Sequence, residues 1–431
     1  GNHQYSEGWI FEARGYRSSF KKLGEGILMK ILYYSPHPHH DIVSDVGYSV
    51  HQLEMIQAFE DLGHEVHKVI MGGDRLDATP DYVQKQGQGA PLKNALKSVI
   101  PKVIWNSLRD YFRFIRHDKR AYAFLMDEIA RVQPDLIYER SEYLLRSGVD
   151  AAIKTGIPHV LEVNAPFIEE WESFEGKNFF KKRADDIEKF KLQNTSLVSC
   201  ISSVLKENLI ERYGLKNVKF KIVTNGSNPD NFEAPKPLAT KEIKERFNLE
   251  DKLVVGFVGS IMPYHKVDKL IYAFARANRE LPNRLKLLVV GGGAGLEELE
   301  ALASELGIED ETEFSGQMAR SEISTMLHAM DICVLPSTNW YCSPIKLFEY
   351  ALCAKAIIAP STHPIQEVFT SGRDAYLVDD SEDALTDAIF ELAQNDELRI
   401  SIGLQARTMM LKSYLWTTLA ENTLKELEES S

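Results

Sequence analysis

Cysteine is scarce. Cys200, Cys333, Cys342 and Cys353 are spread along 431 residues, and no two form a C-x-x-C pair. That spacing argues against a disulfide scaffold or a thiolate-ligated zinc site. Three of the four stand in apolar surroundings, so buried thiols in a reducing compartment are expected. No run of 18 apolar residues occurs, which leaves nothing to cross a membrane as a helix. Positive charge is in deficit: 50 Lys and Arg stand against 63 Asp and Glu, a net charge of −13. General nucleic-acid binding is disfavoured, because neutralising phosphates needs surplus cations. There is no G-x-S-x-G nucleophile elbow. Residues 1–28 lack the apolar core of a signal peptide. They read as an N-terminal extension or a cloning remnant, with a native capping arm as the other reading, because Met29 directly precedes a strand-like run.

What is present is ordinary core-forming material: 44% apolar and 26% charged residues, with length enough for two domains. "MKILYYSP" (29–36) is a continuous apolar run stopped by proline, the pattern of a buried parallel strand. Leu53, Ile56, Phe59 and Leu62 then recur at helical spacing, Gly63 ends the helix, and "EVHKVIM" reads as the next strand. This βαβ unit implies a parallel sheet. Further strands are expected at 135–140, 159–164, 197–202 and 220–225. A polar stretch with two prolines, 233–250, reads as a linker. The alternation restarts at 253–260, 285–293, 312–316, 331–337, 356–360 and 375–379. Two series joined by a linker predict two doubly wound α/β domains facing a cleft, with ligands at the C-terminal ends of the strands. The expected division is 29–235, with a helical insertion at about 75–130, then 236–410, then a closing helix at 411–431.

Three features carry chemistry. Strand-end glycines in "GFVGS" and "VVGGGAG" let backbone N–H groups approach a phosphate, although neither completes a dinucleotide fingerprint. In "SPIKLFEYALCAKAIIAP" (343–360), Pro344 starts a helix, and Lys346 stands in its first turn, where a cation is misplaced unless an anion is near. Glu349, one turn on, suits two hydrogen bonds to a vicinal diol such as a ribose, against a capping role as the plainer reading. Third, His37, His39 and His40 follow the first strand. No carboxylate or cysteine stands at metal-ligand spacing to them, so a polar acceptor-facing loop is expected. Between Lys93 and Arg120, eight Lys/Arg face two Asp. There Ile100, Ile104, Trp105, Leu108, Tyr111, Phe112 and Ile115 form an apolar stripe. It reads as a helical insertion packed on the first domain, with a membrane-surface or acceptor-handling helix as the sharper alternative.

Taken together these motifs resemble a retaining glycosyltransferase of family 4 (glycosyl transferases group 1), from Met29 almost to the C-terminus. "VGFVGSIMPYHKVDKLIYAF" is similar to the family's G-R-x-x-x-x-K-G block, and "LLVVGGGAG" through "DICVLPS" to its glycine loop and D-x-x-v-x-P-S strand. "SPIKLFEYALCAKAIIAP" resembles its E-x7-E region. "GYSVHQLEMIQAFEDLGHEV", "VTNGSNPDNF" and "KSYLWTTLAENTL" resemble its first-domain glycine loop, interdomain segment and closing helix.

The resemblance implies the GT-B fold: two Rossmann-like domains and a C-terminal helix crossing back to the first. It implies transfer of a sugar from a nucleotide diphosphate sugar to a hydroxyl with retention, by front-side attack, with no metal or other cofactor. Glu349 would hold the ribose and Lys346 the diphosphate, with Gly259, Ser260, Lys266, Gly291, Gly292, Met318, Tyr341, Ser343, Pro344 and Ile345 around the donor. Asn164, Glu162, His265 and Lys346 are the catalytic candidates, and Gly47, Tyr48 and Arg140 lie on the acceptor side. The departures are specific. Tyr341 stands where the family has its first Glu, which contacts the transferred sugar. Ser260 replaces an Arg, His265 a Lys, Lys266 a Gly, and Asn164 an active-site His. Expected partners are a UDP or GDP sugar and a carbohydrate, lipid-linked or small-molecule hydroxyl acceptor. A cytoplasmic place in polysaccharide or glycoconjugate biosynthesis is expected, with peripheral contact at the inner membrane face through 93–120 as a further reading. The alternatives are a nucleotide-sugar epimerase of the same fold and a non-catalytic nucleotide-sugar-binding partner.

Overall fold

The structure is a computed structural model that describes residues 21–23, 26–44, 46–73 and 102–429. The expectations for 1–20 and for 74–101, including Ile100, lie outside the described residues. Two six-stranded parallel sheets form the body of the chain, and a short antiparallel pair, Lys21–Leu23 with Gly26–Leu28, precedes them. The first holds β1 (Lys30–Ser35), β2 (Glu65–Ile70), β3 (Leu136–Arg140), β4 (His159–Val163), β5 (Leu197–Cys200) and β6 (Phe220–Ile222), in the order β2-β1-β3-β4-β5-β6. The second holds β7 (Leu253–Val258), β8 (Leu285–Val290), β9 (Thr312–Gly316), β10 (Ile332–Val334), β11 (Ala356–Pro360) and β12 (Tyr376–Val378), in the order β9-β8-β7-β10-β11-β12. In each sheet the chain reverses its direction of winding next to the first strand. That switch point opens a crevice at the C-terminal strand ends, where Pro36, Gly259 and Gly291 begin the loops.

The strands are continuous apolar runs because helices cover both faces; β3, β4, β7, β8 and β11 are buried along their whole length. Helix Gly47–Asp61 buries Met55, Ile56 and Phe59 against Ile31, Tyr33 and Tyr138. Ile56 and Phe59 of the expected stripe are buried, but its first member departs: Leu53 is 46% exposed, and Gln52 is buried beside it. Gly63, at φ +89°, turns the chain into β2.

The insertion is one helix, Lys102–Val132, among the described residues. Phe114 is buried, and Tyr111 and Ile115 pack beside it against Tyr143, Leu145 and Ile187 of the first domain, while Phe112 is 57% exposed. No helix among the described residues is long and apolar enough to cross a membrane.

The closing helix, Trp416–Glu428, returns to the first domain. Trp416, Leu419, Leu424 and Leu427 join the cluster of Met55, Ile56 and Phe59. Burying each such side chain contributes about 1.5–3 kcal/mol. Gly226 permits this crossing, since a Cβ there would meet Leu419 at 2.9 Å and Trp416 at 3.0 Å.

Candidate active site

The helix Ile345–Leu352 starts where the two sheets face each other. Pro344 occupies its cap in an extended conformation, so the chain enters the helix from a strand-like segment. Lys346 is only 9% exposed. Its Nζ lies 2.9 Å from His265 Nε2 and 4.7 Å from the centre of the Phe257 ring. The head group also fills the space beside Gly259 (φ +143°), where a Cβ would come within 2.6 Å of Nζ. Among the described residues, no carboxylate oxygen lies within 4.0 Å of this ammonium. Burial pushes Lys346 down to about 7, against the smaller opposing pull of Cys342 and Glu349.

His265, one of the catalytic candidates, stands beside Lys346 as a hydrogen-bond acceptor. Its Nδ1 faces the Ser260 carbonyl oxygen at 2.8 Å and must donate to it. Nε2 therefore carries a lone pair, and it accepts from Lys346. Burial first, and then the Lys346 charge, lower this imidazole to about 3. Lys266 is corrected. It adopts φ +47°, in keeping with the family glycine it replaces. Its side chain is 47% exposed and its ammonium pairs with Asp380 at 2.9 Å, so it turns to the surface.

The strand-end glycines pack on one another. Gly291 has φ +142°, and a Cβ there would strike the Gly259 carbonyl oxygen. Ile261 N–H donates to the Gly292 carbonyl at 2.9 Å. Met318 is half-buried just ahead of the helix Arg320–His328. Glu349 is 4% exposed, and Arg320 Nη2 stands 2.6 Å from its Oε1. Arg320, Glu54, Asn231 and Phe232 line a cavity of about 340 Å³ that lies between the first-domain helix Gly47–Asp61 and the second domain. Glu54 is shifted upward, chiefly by burial.

A hydrogen-bonded chain links the donor-side helix to the first domain. Ser343 is buried, and its carbonyl accepts from Asn225 Nδ2. Asn225 Oδ1 lies 2.7 Å from His51 Nδ1, and His51 Nε2 lies 2.9 Å from Glu162 Oε1. Glu162 also accepts from Tyr138 Oη (2.7 Å), Arg140 Nη1 (3.2 Å) and Asn164 Nδ2 (2.5 Å). Burial alone would raise this carboxyl, but His51, Arg140 and Tyr138 outweigh it and hold it at about 2. Glu162 is thus saturated by protein groups, and Asn164 beside it at the strand end is half-buried. Arg140 is buried between Glu162 and Glu142.

The histidine loop has a carboxylate after all. Glu142, 102 residues away in sequence, accepts from His40 Nδ1 at 2.7 Å. His37 stacks on His40 with ring centres 3.7 Å apart, and Tyr48 stacks on the other side at 4.2 Å. His37, His40 and Glu142 bring ligand atoms within 4.8 Å of one another. The nearby Arg140 and Arg113 charges weigh against a divalent ion there. Gly47 opens its helix with nothing within 4 Å of a Cβ position, leaving space over the helix start.

Tyr341 differs most from its expected place. It is 7% exposed and packs into the first-domain cluster of Val149, Leu161 and Leu205. Its Oη donates to Glu170 Oε1 at 2.9 Å, and its carbonyl accepts from Ser202 Oγ at 2.9 Å. It ties the domains together. Arg320, His51, Asn225, Glu142 and Glu170 were not singled out from the sequence. Asn225, His51 and Arg320 had a signal in their places within family-like stretches, Asn225 in "VTNGSNPDNF" and His51 in "GYSVHQLEM".

Two family models match: "Glycosyltransferase Family 4" over residues 47–231 and "Glycosyl transferases group 1" over 239–409. A D-inositol 3-phosphate glycosyltransferase of Corynebacterium jeikeium is 28% identical over 231 residues, 52% of this chain and 55% of that protein. A GDP-mannose-dependent α-(1-6)-phosphatidylinositol monomannoside mannosyltransferase of Mycolicibacterium smegmatis is 26% identical over 233 residues, 52% of this chain and 60% of that one. The matched region thus spans little more than half the length of these relatives. Among solved structures, Anabaena Alr3699/HepE with UDP and glucose superposes with a TM-score of 0.67 at 17% identity, covering 93% of this chain and all of that one. Sucrose-phosphate synthase of Thermosynechococcus elongatus gives 0.69 at 19% identity, covering 93% and 99%. Both share the two-domain fold.

Proposed function

The chain belongs to the family 4 glycosyltransferases of the group 1 type, and on that premise we propose that it moves a sugar from a nucleoside diphosphate sugar to an acceptor hydroxyl with retention. The observation that carries this reading is Lys346. A buried ammonium with no carboxylate at hand is costly, and it becomes favourable when an anion arrives. It stands at a helix start beside two glycine turns, the place where backbone dipoles favour a phosphate. HepE's complexes with UDP and with UDP-glucose lend support by analogy of fold.

In this reading Lys346 meets the diphosphate, and His265 holds the ammonium in place through its Nε2 lone pair. Glu349 takes the ribose diol once Arg320 swings aside. The sugar C1–O bond to the diphosphate breaks as the acceptor oxygen bonds to C1 on the same face. The acceptor proton passes to the departing diphosphate oxygen. Negative charge grows on that leaving group, so a fixed cation in a dry site lowers the barrier. Lys346 and the helix dipole supply that charge, and no metal is required of the protein. Asn164, anchored on Glu162, presents its amide to the sugar or the acceptor. The acceptor is a hydroxyl of a carbohydrate, a lipid-linked sugar or a small molecule.

The test is NMR of the protein incubated with UDP-, GDP- and ADP-sugars and a panel of hydroxyl acceptors. Transfer, or slow hydrolysis releasing first the α-anomer from an α-donor, supports the reading. A changed sugar still attached to its nucleotide, or binding with no turnover toward any acceptor, contradicts it.

A further inference from the structure

The E-x7-E region lacks its first carboxylate, since Tyr341 stands there. A carboxylate of the other domain nevertheless stands beside the Tyr341 hydroxyl. Glu170 lies in the first turn of the helix Phe167–Glu175, and its Oε1 accepts from Tyr341 Oη at 2.9 Å. Asn339 Nδ2 bonds the same phenol oxygen at 3.2 Å, so Tyr341 is held from both sides. Among the described residues no protein donor reaches Glu170 Oε2. The charged and titratable neighbours of Glu170 come from both walls of the cleft. Arg140, Glu142 and His40 belong to the first domain, and Tyr341, Cys342 and Tyr264 to the second. Cys342 feels the charges of both Glu170 and Lys346.

We infer that Glu170, oriented by Tyr341, is the carboxylate that binds the hydroxyls of the transferred sugar, supplied across the cleft in place of the family's missing glutamate. This rests on the transferase reading above. The chemistry is direct. A phenol bonded to a carboxylate cannot itself give an incoming hydroxyl a charge-assisted acceptor, whereas the carboxylate's second oxygen can. The helix start beneath Glu170 favours its negative form, which offsets part of the burial that pushes the carboxyl upward. A sugar hydroxyl would then contact both domains at once, so the sugar itself would favour a closed cleft.

A plain structural strut would show the same Tyr341–Glu170 bond, so the test must separate sugar from nucleotide. Calorimetry would measure UDP with UDP-glucose, GDP with GDP-mannose and ADP with ADP-glucose, and follow the pair that binds the wild type. Glu170→Gln should leave the nucleoside diphosphate Kd within about twofold and weaken the sugar nucleotide about 5- to 50-fold, the scale of one charge-assisted hydrogen bond. Tyr341→Phe should shift the same ratio in the same direction by less. Glu170→Asp keeps the charge and should fall between, and it serves where the amide variant does not fold. Equal weakening of both ligands, or no change in either, overturns the inference and leaves a strut. If no nucleoside diphosphate binds the wild type at all, the transferase reading fails, and this inference fails with it.

Discussion

Replacing Lys346 with Met should stabilise the free protein and weaken its response to nucleotide. Burial lowers this lysine from 10.5 to about 7. Each pKa unit is about 1.4 kcal/mol, so holding the charged form in the folded state costs on the order of 5 kcal/mol. At pH 7 the folded group is half neutral while the unfolded one is charged, so the residue weakens the fold by roughly 4 kcal/mol. Methionine removes that penalty and keeps the volume. It also strands the His265 Nε2 lone pair, at about 1–3 kcal/mol. A net gain of roughly 1–3 kcal/mol is expected at pH 7. Its pH dependence follows from the direction of the shift. The unfolded state binds one more proton between pH 7 and about 10, so wild-type stability from this group rises with pH there. The advantage of Lys346→Met should therefore shrink by roughly 2 kcal/mol between pH 7 and pH 9. Urea melts at both pH values, with and without UDP, GDP or ADP, measure it. A Met variant less stable than wild type at pH 7, with an unchanged nucleotide response, would refute the reasoning.

Glu162 is lowered to about 2 by the groups that saturate it. Glu162→Gln should cost roughly 2–4 kcal/mol above pH 4.5. The loss should narrow as pH falls from about 4.5 to about 2, because the unfolded wild-type chain then takes up a proton that the folded carboxylate does not; acid melts of both proteins decide it. Gly291→Ala puts a Cβ against the Gly259 carbonyl at φ +142°. It should destabilise the protein by about 3 kcal/mol or more, visible in the second-domain melt. Glu349→Gln should weaken nucleoside diphosphate binding by roughly 1–3 kcal/mol in calorimetry; unchanged affinity would remove Glu349 from the ribose. Asn164→Ala should lower turnover while leaving diphosphate binding nearly intact, and equal loss of both would assign it to the donor or the fold.

The strands were legible because burial on both faces writes itself as an unbroken apolar run, as in Lys30–Ser35 and Ala356–Pro360. Lys346 and Glu349 were legible because they are the only cation and the only acid in the greasy stretch 343–354. The partners were not. Glu170 meets Tyr341 across 171 residues, a contact made only once both domains have folded, and Asn225 meets His51 across 174, within the first domain but from its far ends. The state of His265 was hidden for another reason: the Ser260 carbonyl fixes its tautomer, and no spacing rule encodes a backbone acceptor. Leu53 kept the helical period yet faces a cavity, because the interdomain cleft interrupts the buried face. The carboxylate beside the histidine loop was missed because Glu142 comes from the end of a different strand.

The central claim is that Lys346 binds the leaving diphosphate. Calorimetric titration of wild type and Lys346→Met with UDP, GDP and ADP at pH 6.5 tests it most directly. One nucleoside diphosphate should bind the wild type, and its affinity should fall by at least about tenfold in the variant, the weight of one charge-assisted contact. Equal binding to both proteins, or none to the wild type, would contradict the account.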